Sequence, residues 1–385
     1  RNTGWWAIGA LACLAVSCAR HSGTGPVREH AGAVASASSA SSVSSLASAS
    51  STSTGAVGSA DRGVEQLEFQ DEAMGTNVHF IAFTNERVTD EQVRSAMTQA
   101  FDEIKRLEGV LSEWRPDSEV GKINLNPEQW VNVGPDTFAV ISRALEAGKA
   151  SDGAFDITFQ ALSSLWKFGS AAEDQPKLPS KAEIEQRRKL VDYRTVALDD
   201  ARHAVRMPKA HQLGLGGIAK GYIVDRAAGV LRQAGIRTFL VQAGGDLYGA
   251  GRKPDGSPWV TGIQDPRGPE GTFFATIELT DHSFSTAGDY ARSYVIGKRR
   301  YHHIIDPRTG YPATACRSVT VWAPDATTAD WIDDAVFIMG PGPGLELVEK
   351  NAGVGVVIVD KNNKVWVSPR VQDQVHVLAK PTDGI

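Results

Sequence analysis

Apolar residues recur every three to four positions from Asp90 to Leu111, where Val93, Met97, Phe101, Ile104 and Leu107 form one stripe, and this spacing predicts an amphipathic helix. Phe138–Ala150, Ala182–Lys189 and Ile218–Ala234 predict three more helices, the last stopping at Gly235. Short apolar runs predict strands at Val78–Phe83, Thr238–Gln242, Trp259–Gln264, Phe273–Leu279, Val319–Ala323 and Val354–Val359, divided by Gly, Pro and Asp turns. Ser112–Pro127 reads as a loop. Strands cluster and helices fall between them irregularly, which favours an α+β fold over a doubly wound sheet. No repeat of solenoid period is visible.

The amino-terminal part follows a different rule. Trp5–Val16 is an apolar run of twelve residues, too short to span a bilayer and suited in length to the hydrophobic region of a secretory signal. It leads into Leu14-Ala15-Val16-Ser17-Cys18, which resembles a bacterial lipoprotein box; an ordinary signal cut after small residues is the alternative. Ala31–Ala60 contains twelve Ser, nine Ala and no charged residue, too little apolar surface to offset the entropy of ordering. The expected division is therefore a signal peptide with lipoprotein box over 1–18, a Ser/Ala-rich disordered tether over 19–65 and a catalytic or binding domain over 66–385.

Charge and cysteine usage narrow the function classes. Forty Lys and Arg against forty-five Asp and Glu give a net charge of −5, so nothing in the overall balance favours nucleic acid as a partner. The three cysteines, at 13, 18 and 316, cannot form a disulfide framework and lack the Cys-x-x-Cys spacing of zinc or dithiol sites.

Four groups of residues carry candidate chemistry. Gly214-Leu215-Gly216-Gly217-Ile218-Ala219-Lys220-Gly221-Tyr222 leads into a predicted helix. It has the glycines of a dinucleotide fingerprint but no Asp or Glu between Arg226 and Gly245 to hold a ribose, and Gly221 follows Lys220 where a P-loop needs Ser or Thr. Two readings survive: an anion cradle at a helix start with Lys220 as a point charge, and a glycine-rich turn packed under a helix. Asp330, Asp333 and Asp334 share one face of a helix begun by Thr327 or Thr328, and suit either a hard cation such as Mg²⁺ or simple interaction with the helix dipole. Tyr301-His302-His303-Ile304 reads as a strand, so only one of the paired histidines faces a given site, as a proton acceptor or as a structural residue. Trp114, in a polar loop, is placed to stack on a planar ring or to anchor the loop.

Taken together the motifs have a recognisable order: Met74-Gly75-Thr76, Trp114-Arg115-Pro116-Asp117-Ser118, Gly153-Ala154-Phe155-Asp156, Gly216–Tyr222, Ala243–Asp246, Gly262–Arg267, Ala287–Tyr290, His303 with the Asp306-Pro307-Arg308 turn, and Thr327–Asp330. In this the chain resembles the FAD:protein FMN transferases, the ApbE-like flavin transferases formerly called thiamine-biosynthesis lipoproteins. The resemblance runs from Met74 to about Pro369. It implies a T-fold-related ApbE-like α+β fold of antiparallel sheets with packed helices, with residues 66–385 as the flavin transferase domain. FAD is then the substrate and Mg²⁺ the cofactor. By the same resemblance FAD would be held by Met74, Trp114, Ala154, Phe155, Asp156, Lys220, Gly245 and the strand at Ile304. The metal would be held by the carbonyl of Ala219 and by Asp330 and Asp334, and His303 would be the catalytic base. A Thr or Ser hydroxyl of an exported or membrane-bound flavoprotein would attack the FMN-side phosphorus, and AMP would leave. Export and lipid anchoring to a bacterial membrane, facing the periplasm, are common in that family. Three positions depart from its pattern: Gly214 for Asp, Ala287 for Ser and Asp334 for Thr. They leave as alternatives an FAD pyrophosphatase and a flavin-binding lipoprotein without turnover.

Overall fold

The computed structural model describes residues 63–168 and 178–385. The expected signal segment, its Cys18 box and all but the last residues of the tether lie outside the described residues.

Strand alternation sets the layering. Along β2 (Thr76–Phe83), Val78, Phe80 and Ala82 face one core while Ile81 and Phe83 face another. The strand belongs to an eight-stranded sheet that runs β1 (Gln66–Ala73), β2, β6 (Phe239–Ala243), β7 (Asp246–Ala250), β10 (His282–Gly288), β13 (Cys316–Ala323), β14 (Gly355–Asp360) and β15 (Val365–Val367). Every neighbouring pair in it is antiparallel. One face is covered by helices. The other is covered by a three-stranded sheet of β16 (Val375–Val377), β9 (Phe273–Leu279) and β8 (Trp259–Gln264), whose Phe274, Ile277 and Trp259 pack with Leu240 and Leu247. Because β6, β7 and β14 are covered on both faces, all their residues are buried and their sequences do not alternate.

The helical layer is built from α1 (Asp90–Leu111), α6 (Ala219–Gln233) and α7 (Ala326–Met339), named in a series that also contains α2 (Glu119–Leu125), α3 (Pro135–Ala150), α4 (Gln160–Ser163), α5 (Lys181–Arg188) and α8 (Pro341–Lys350). Helix α1 has the predicted bounds. Its start is fixed by a capping box in which Thr89 and Gln92 bond reciprocally, and its buried stripe is the predicted one. Helix α7 is buried on nearly all sides, which its apolar sequence requires. A small sheet, β3 (Val131–Asn132), β5 (Ala204–Arg206) and β4 (Ala197–Asp199), flanks α3. A separate hairpin, β11 (Ser293–Ile296) with β12 (Arg299–His302), stands over an aromatic cluster that includes Trp166 and Tyr301.

Several expectations need correction. The loop expected over Ser112–Pro127 contains α2, because Ser118 caps it by accepting from the Gly121 N–H at 2.8 Å. Helix α7 begins after Asp325, whose carboxylate accepts from Thr328; neither Thr327 nor Thr328 is the cap. The strand at Tyr301–Ile304 ends at His302. Strands β1, β7 and β10 have no counterpart among the predicted elements, since β1 is a mostly polar edge strand and β7 and β10 carry the Asp and Ser residues that read as turns.

Candidate active site

The site forms where α6 and α7 cross beneath the glycine-rich turn. At the crossing Gly221 admits no side chain, since a Cβ there would lie 2.2 Å from the Ala326 carbonyl oxygen and 2.8 Å from the Asp330 Cβ. This close approach lets the Gly221 N–H donate to Asp330 Oδ2 at 2.9 Å. No side chain of its own caps α6, so Asp330 on α7 caps it instead. Asp225 on α6 returns the bond, accepting from the Ala326 and Thr327 N–H groups, both at 2.8 Å, and from Thr327 Oγ1 at 2.6 Å.

Lys220, one residue before the crossing, lies in hydrogen-bond contact with Asp246 and 3.3 Å from Asp330 Oδ1. Desolvation would lower its pKa, but Asp246 and Asp330 outweigh it and hold the ammonium above the usual lysine range. Ser285 Oγ lies 2.6 Å from both Asp246 Oδ1 and Asp333 Oδ2. The hydroxyl is the donor to these two carboxylates. Burial first, then Asp334, Asp330 and Asp246 nearby, pushes the Asp333 pKa well above the usual carboxylate range. Burial and Asp246 likewise raise Asp330 to about 8, against the pull of Lys220. Asp334 rises to about 6, through burial first. It accepts no hydrogen bond from the described residues. A Cβ on Gly217 would stand 2.5 Å from Asp334 Oδ2 and 3.1 Å from the Phe155 ring, so Phe155, Gly217 and Asp334 converge.

Around this centre the structure gathers most of the predicted residues. Met74 and Gly75, both at positive φ, form the two-residue turn of the β1–β2 hairpin. Thr76 of that hairpin packs against Gly244, where a Cβ would lie 2.8 Å from Thr76 Oγ1, and Gly244 N donates to the Asn77 carbonyl at 3.0 Å. Met74 and Gly245 are thereby brought to one end of the sheet, beside Asp246. Ala154 is buried, and Phe155 meets Trp331 edge-on with ring centroids 6.3 Å apart. The Asp156 carboxylate is fully engaged within the protein, accepting from Thr158 N and Oγ1 and from Tyr193 N, so it organises the loop that carries Ala154 and Phe155. Trp114 stands apart as the most exposed large apolar side chain among the described residues, at 75%. Ala219 opens α6, and its amide bonds to the Leu215 carbonyl at 2.8 Å.

The two histidines have different surroundings, and His303 lies beyond the strand that ends at His302. His302 is buried; its Nε2 donates to the Ala313 carbonyl at 2.8 Å and its ring meets Phe337 edge-on. His303 lies just past the end of β12, its backbone N–H donating to the Arg292 carbonyl at 3.2 Å, and its Nδ1 is buried with no hydrogen-bond partner. Burial first, then His302, Arg292 and Lys220, push its pKa down to about 3. Ile304 is on irregular backbone, its carbonyl accepting from Ala313 N at 3.0 Å.

Three residues of this constellation were assigned no role from sequence. Asp246 closes the Ala243–Asp246 motif and Ser285 lies two residues before the Ala287–Tyr290 motif, and strand pairing joins them. Glu113 stands beside the glycine-rich turn, 3.9 Å from where a Gly216 Cβ would be, and burial raises its pKa. Of the departures, Gly214 lies against Gln160, where a Cβ would stand 2.9 Å from Oε1 and 3.2 Å from Cβ.

The donor set suits a hard cation. Ala219 carbonyl, Asp330 and Asp334 offer only oxygen, and Asp246, Asp330, Asp333 and Asp334 outnumber Lys220. Among the described residues no three His, Cys, Asp or Glu side chains converge as a metal-ligating group.

Residues 74–358 match the model of the ApbE family. The chain belongs to the ApbE family. It is 32% identical over 272 residues to the FAD:protein FMN transferase of Escherichia coli (strain K12), covering 68% of this chain and 76% of that protein. It is 31% identical over 303 residues to the FAD:protein FMN transferase of Treponema pallidum, covering 74% and 83%. The ApbE protein of Thermotoga maritima superposes with a TM-score of 0.72 at 34% identity, over 80% of this chain and 99% of that one. The flavin transferase ApbE of Vibrio cholerae gives 0.70 at 27%, over 81% and 99%. These ApbE structures share the antiparallel α+β architecture described above.

Proposed function

We propose that this ApbE-family chain is a Mg²⁺-dependent FAD:protein FMN transferase that moves FMN from FAD to a Thr or Ser hydroxyl of an acceptor flavoprotein, releasing AMP. The observation that carries the reading is the charge arrangement at the α6–α7 crossing: Lys220 fixed between Asp246 and Asp330, next to a glycine-rich turn and within the field of a neutral His303. Such a displacement requires in-line positioning and neutralised phosphate charge far more than covalent chemistry from the protein.

Each residue has a task in that scheme. The glycine-rich turn brings backbone N–H groups to the helix start, where an anion is favoured. Lys220 is held in place by Asp246 and Asp330 and contributes positive charge to the pyrophosphate side. Mg²⁺, held by the Ala219 carbonyl, Asp330 and Asp334, would supply further neutralisation of phosphate charge. Asp334 in place of the family's Thr adds a harder ligand. His303, with an unpartnered Nδ1, would take the hydroxyl proton of the acceptor once bound substrate charge offsets the burial and neighbouring cations that hold its basicity down in the free fold. Trp114, exposed and aromatic, presents a face on which a flavin or adenine ring stacks. We place the mature protein outside the cytoplasm, lipid-anchored at Cys18 to a membrane facing the periplasm, a reading supported by the Trp5–Val16 run and the sequence that follows it.

The test is to incubate the protein with FAD, Mg²⁺ and a Thr-bearing acceptor while following AMP and acceptor mass. AMP together with an acceptor heavier by one FMN unit is expected. Free FMN and AMP without adduct would mean hydrolysis, and bound FAD without AMP would mean a binding protein; either outcome overturns the transferase reading.

A further inference from the structure

The hairpin β11–β12 leads directly into His303 and is paired with no other strand among the described residues. Its base is fixed. Tyr294 stacks on Tyr301 with centroids 5.7 Å apart, and Tyr301 stacks on Trp166 at 6.0 Å. The His303 N–H bond to the Arg292 carbonyl marks those two as a hydrogen-bonded pair of the antiparallel ladder. Alternation then turns the backbone N–H and C=O of Ser293 and Val295 away from β12, towards the free edge of β11. Val295 is 46% exposed, with exposed Ile296 beside it. The β12 side is different, because Arg300 on it bonds to the carbonyl of Ile385, from outside the hairpin, at 2.8 Å.

Charge gives the edge a direction. In a chain of net charge −5, residues 291–303 contain Arg292, Lys298, Arg299 and Arg300 and no acidic residue. Arg292, Lys298 and Arg299 are exposed, and none makes an ion pair with a described residue. Arg292 precedes β11, Lys298 lies in the hairpin turn and Arg299 on β12, so the cations bracket the open edge; such an edge, with its two apolar side chains, is matched by an extended, acidic segment that adds as a further strand. Val295 is three residues from Arg292, about 10 Å along the strand, so a segment seated there runs towards the histidine.

We infer that the β11 edge is the docking surface for the acceptor, and that it takes an extended acidic segment of that protein carrying the hydroxyl to be modified. This rests on the transferase reading above for the identity of the partner. Neither Val295 nor Lys298 belongs to the site that holds FAD.

The experiment uses the full chain loaded with FAD and a short fluorescein-labelled peptide containing one Thr flanked by Asp residues, with a twin in which Lys replaces Asp. Anisotropy reports binding, and peptide mass with AMP reports turnover. The acidic peptide should bind at least about ten-fold more tightly than its twin, and more weakly as salt rises. Lys298→Glu/Arg299→Glu should reverse that preference. Val295→Pro removes one outward N–H without touching the internal ladder, and should weaken the acidic peptide about ten-fold while FAD affinity and the melting temperature stay unchanged. Equal binding of both peptides, binding of neither, or binding insensitive to both variants would overturn the docking surface. Edge-dependent binding without FMN transfer would leave the surface standing and overturn the transferase reading instead.

Discussion

Asp225 and Asp330 each cap the helix that carries the other: Asp225 on α6 accepts from the first residues of α7, and Asp330 on α7 accepts from the third residue of α6. The site is thus built on a junction whose two helix starts hold each other in register. Asp225→Ala leaves the Ala326 and Thr327 donors without their acceptor and should destabilise the protein by about 2 kcal/mol. Burial raises the Asp225 pKa from 3.8 in the unfolded chain to about 6 in the fold. The folded state therefore binds the extra proton, and this group's contribution is full below about 4 and lost as pH rises through about 6. Urea unfolding should show the gap between wild type and variant shrinking over that interval; a gap that widens would refute the assignment.

Gly221 is the steric condition of the junction. With an alanine Cβ 2.2 Å from the Ala326 oxygen, the helices must separate, at a cost of about 1–3 kcal/mol. Gly221→Ala should therefore lower both thermal stability and FMN transfer, whereas Gly229→Ala inside the same helix, where a Cβ meets nothing within 4 Å, should leave transfer unchanged and raise stability by about 0.5–1 kcal/mol. Equal behaviour of the two variants, in a melting curve and a transfer assay, would contradict this role.

A neutral His303 at working pH follows from its burial beside His302, Arg292 and Lys220. Its pKa is depressed to about 3 from an ordinary 6.5, so the stability it contributes is full above about 6.5 and lost as pH falls towards 3. Its imidazole proton resonances, assigned by comparison with His303→Gln, should not move between pH 8 and 5. A midpoint inside that range would mean that the ring is far more open to water than the fold places it.

The Arg267–Asp289 pair is bidentate, with both bonds at 2.7 Å and both side chains 8% exposed. Removing one partner strands a buried charge. Asp289→Ala should cost about 3–5 kcal/mol in chemical denaturation, while the double replacement Arg267→Met/Asp289→Leu should recover most of it. Failure of the double variant to recover stability would show that the pair does more than satisfy itself.

How much of this was written in the chain depends on the kind of information each feature needs. Helix α1 was legible to the residue because its stripe and its Thr89–Gln92 box are local. The ordered motifs likewise marked the family and the general make-up of the site, since glycines at Gly216 and Gly221 and the acids at Asp330 and Asp334 are fixed by chemistry that short stretches carry. Helix α2 was hidden by flanking prolines and glycine, and the α7 cap went to Asp325 because its carboxylate reaches the Thr328 N–H before either threonine does.

What only the tertiary structure decided were the relations between distant residues. Lys220, Asp246, Ser285 and Asp330 lie far apart along the chain, and it is the antiparallel register of β7 with β10 and the crossing at Gly221 that make them one charged cluster. Their protonation states were equally out of reach, because the shifts of Asp330, Asp333 and His303 come from burial and from neighbours far along the chain. Local pattern encodes periodicity and turn chemistry; proximity and desolvation exist only once the layers have packed.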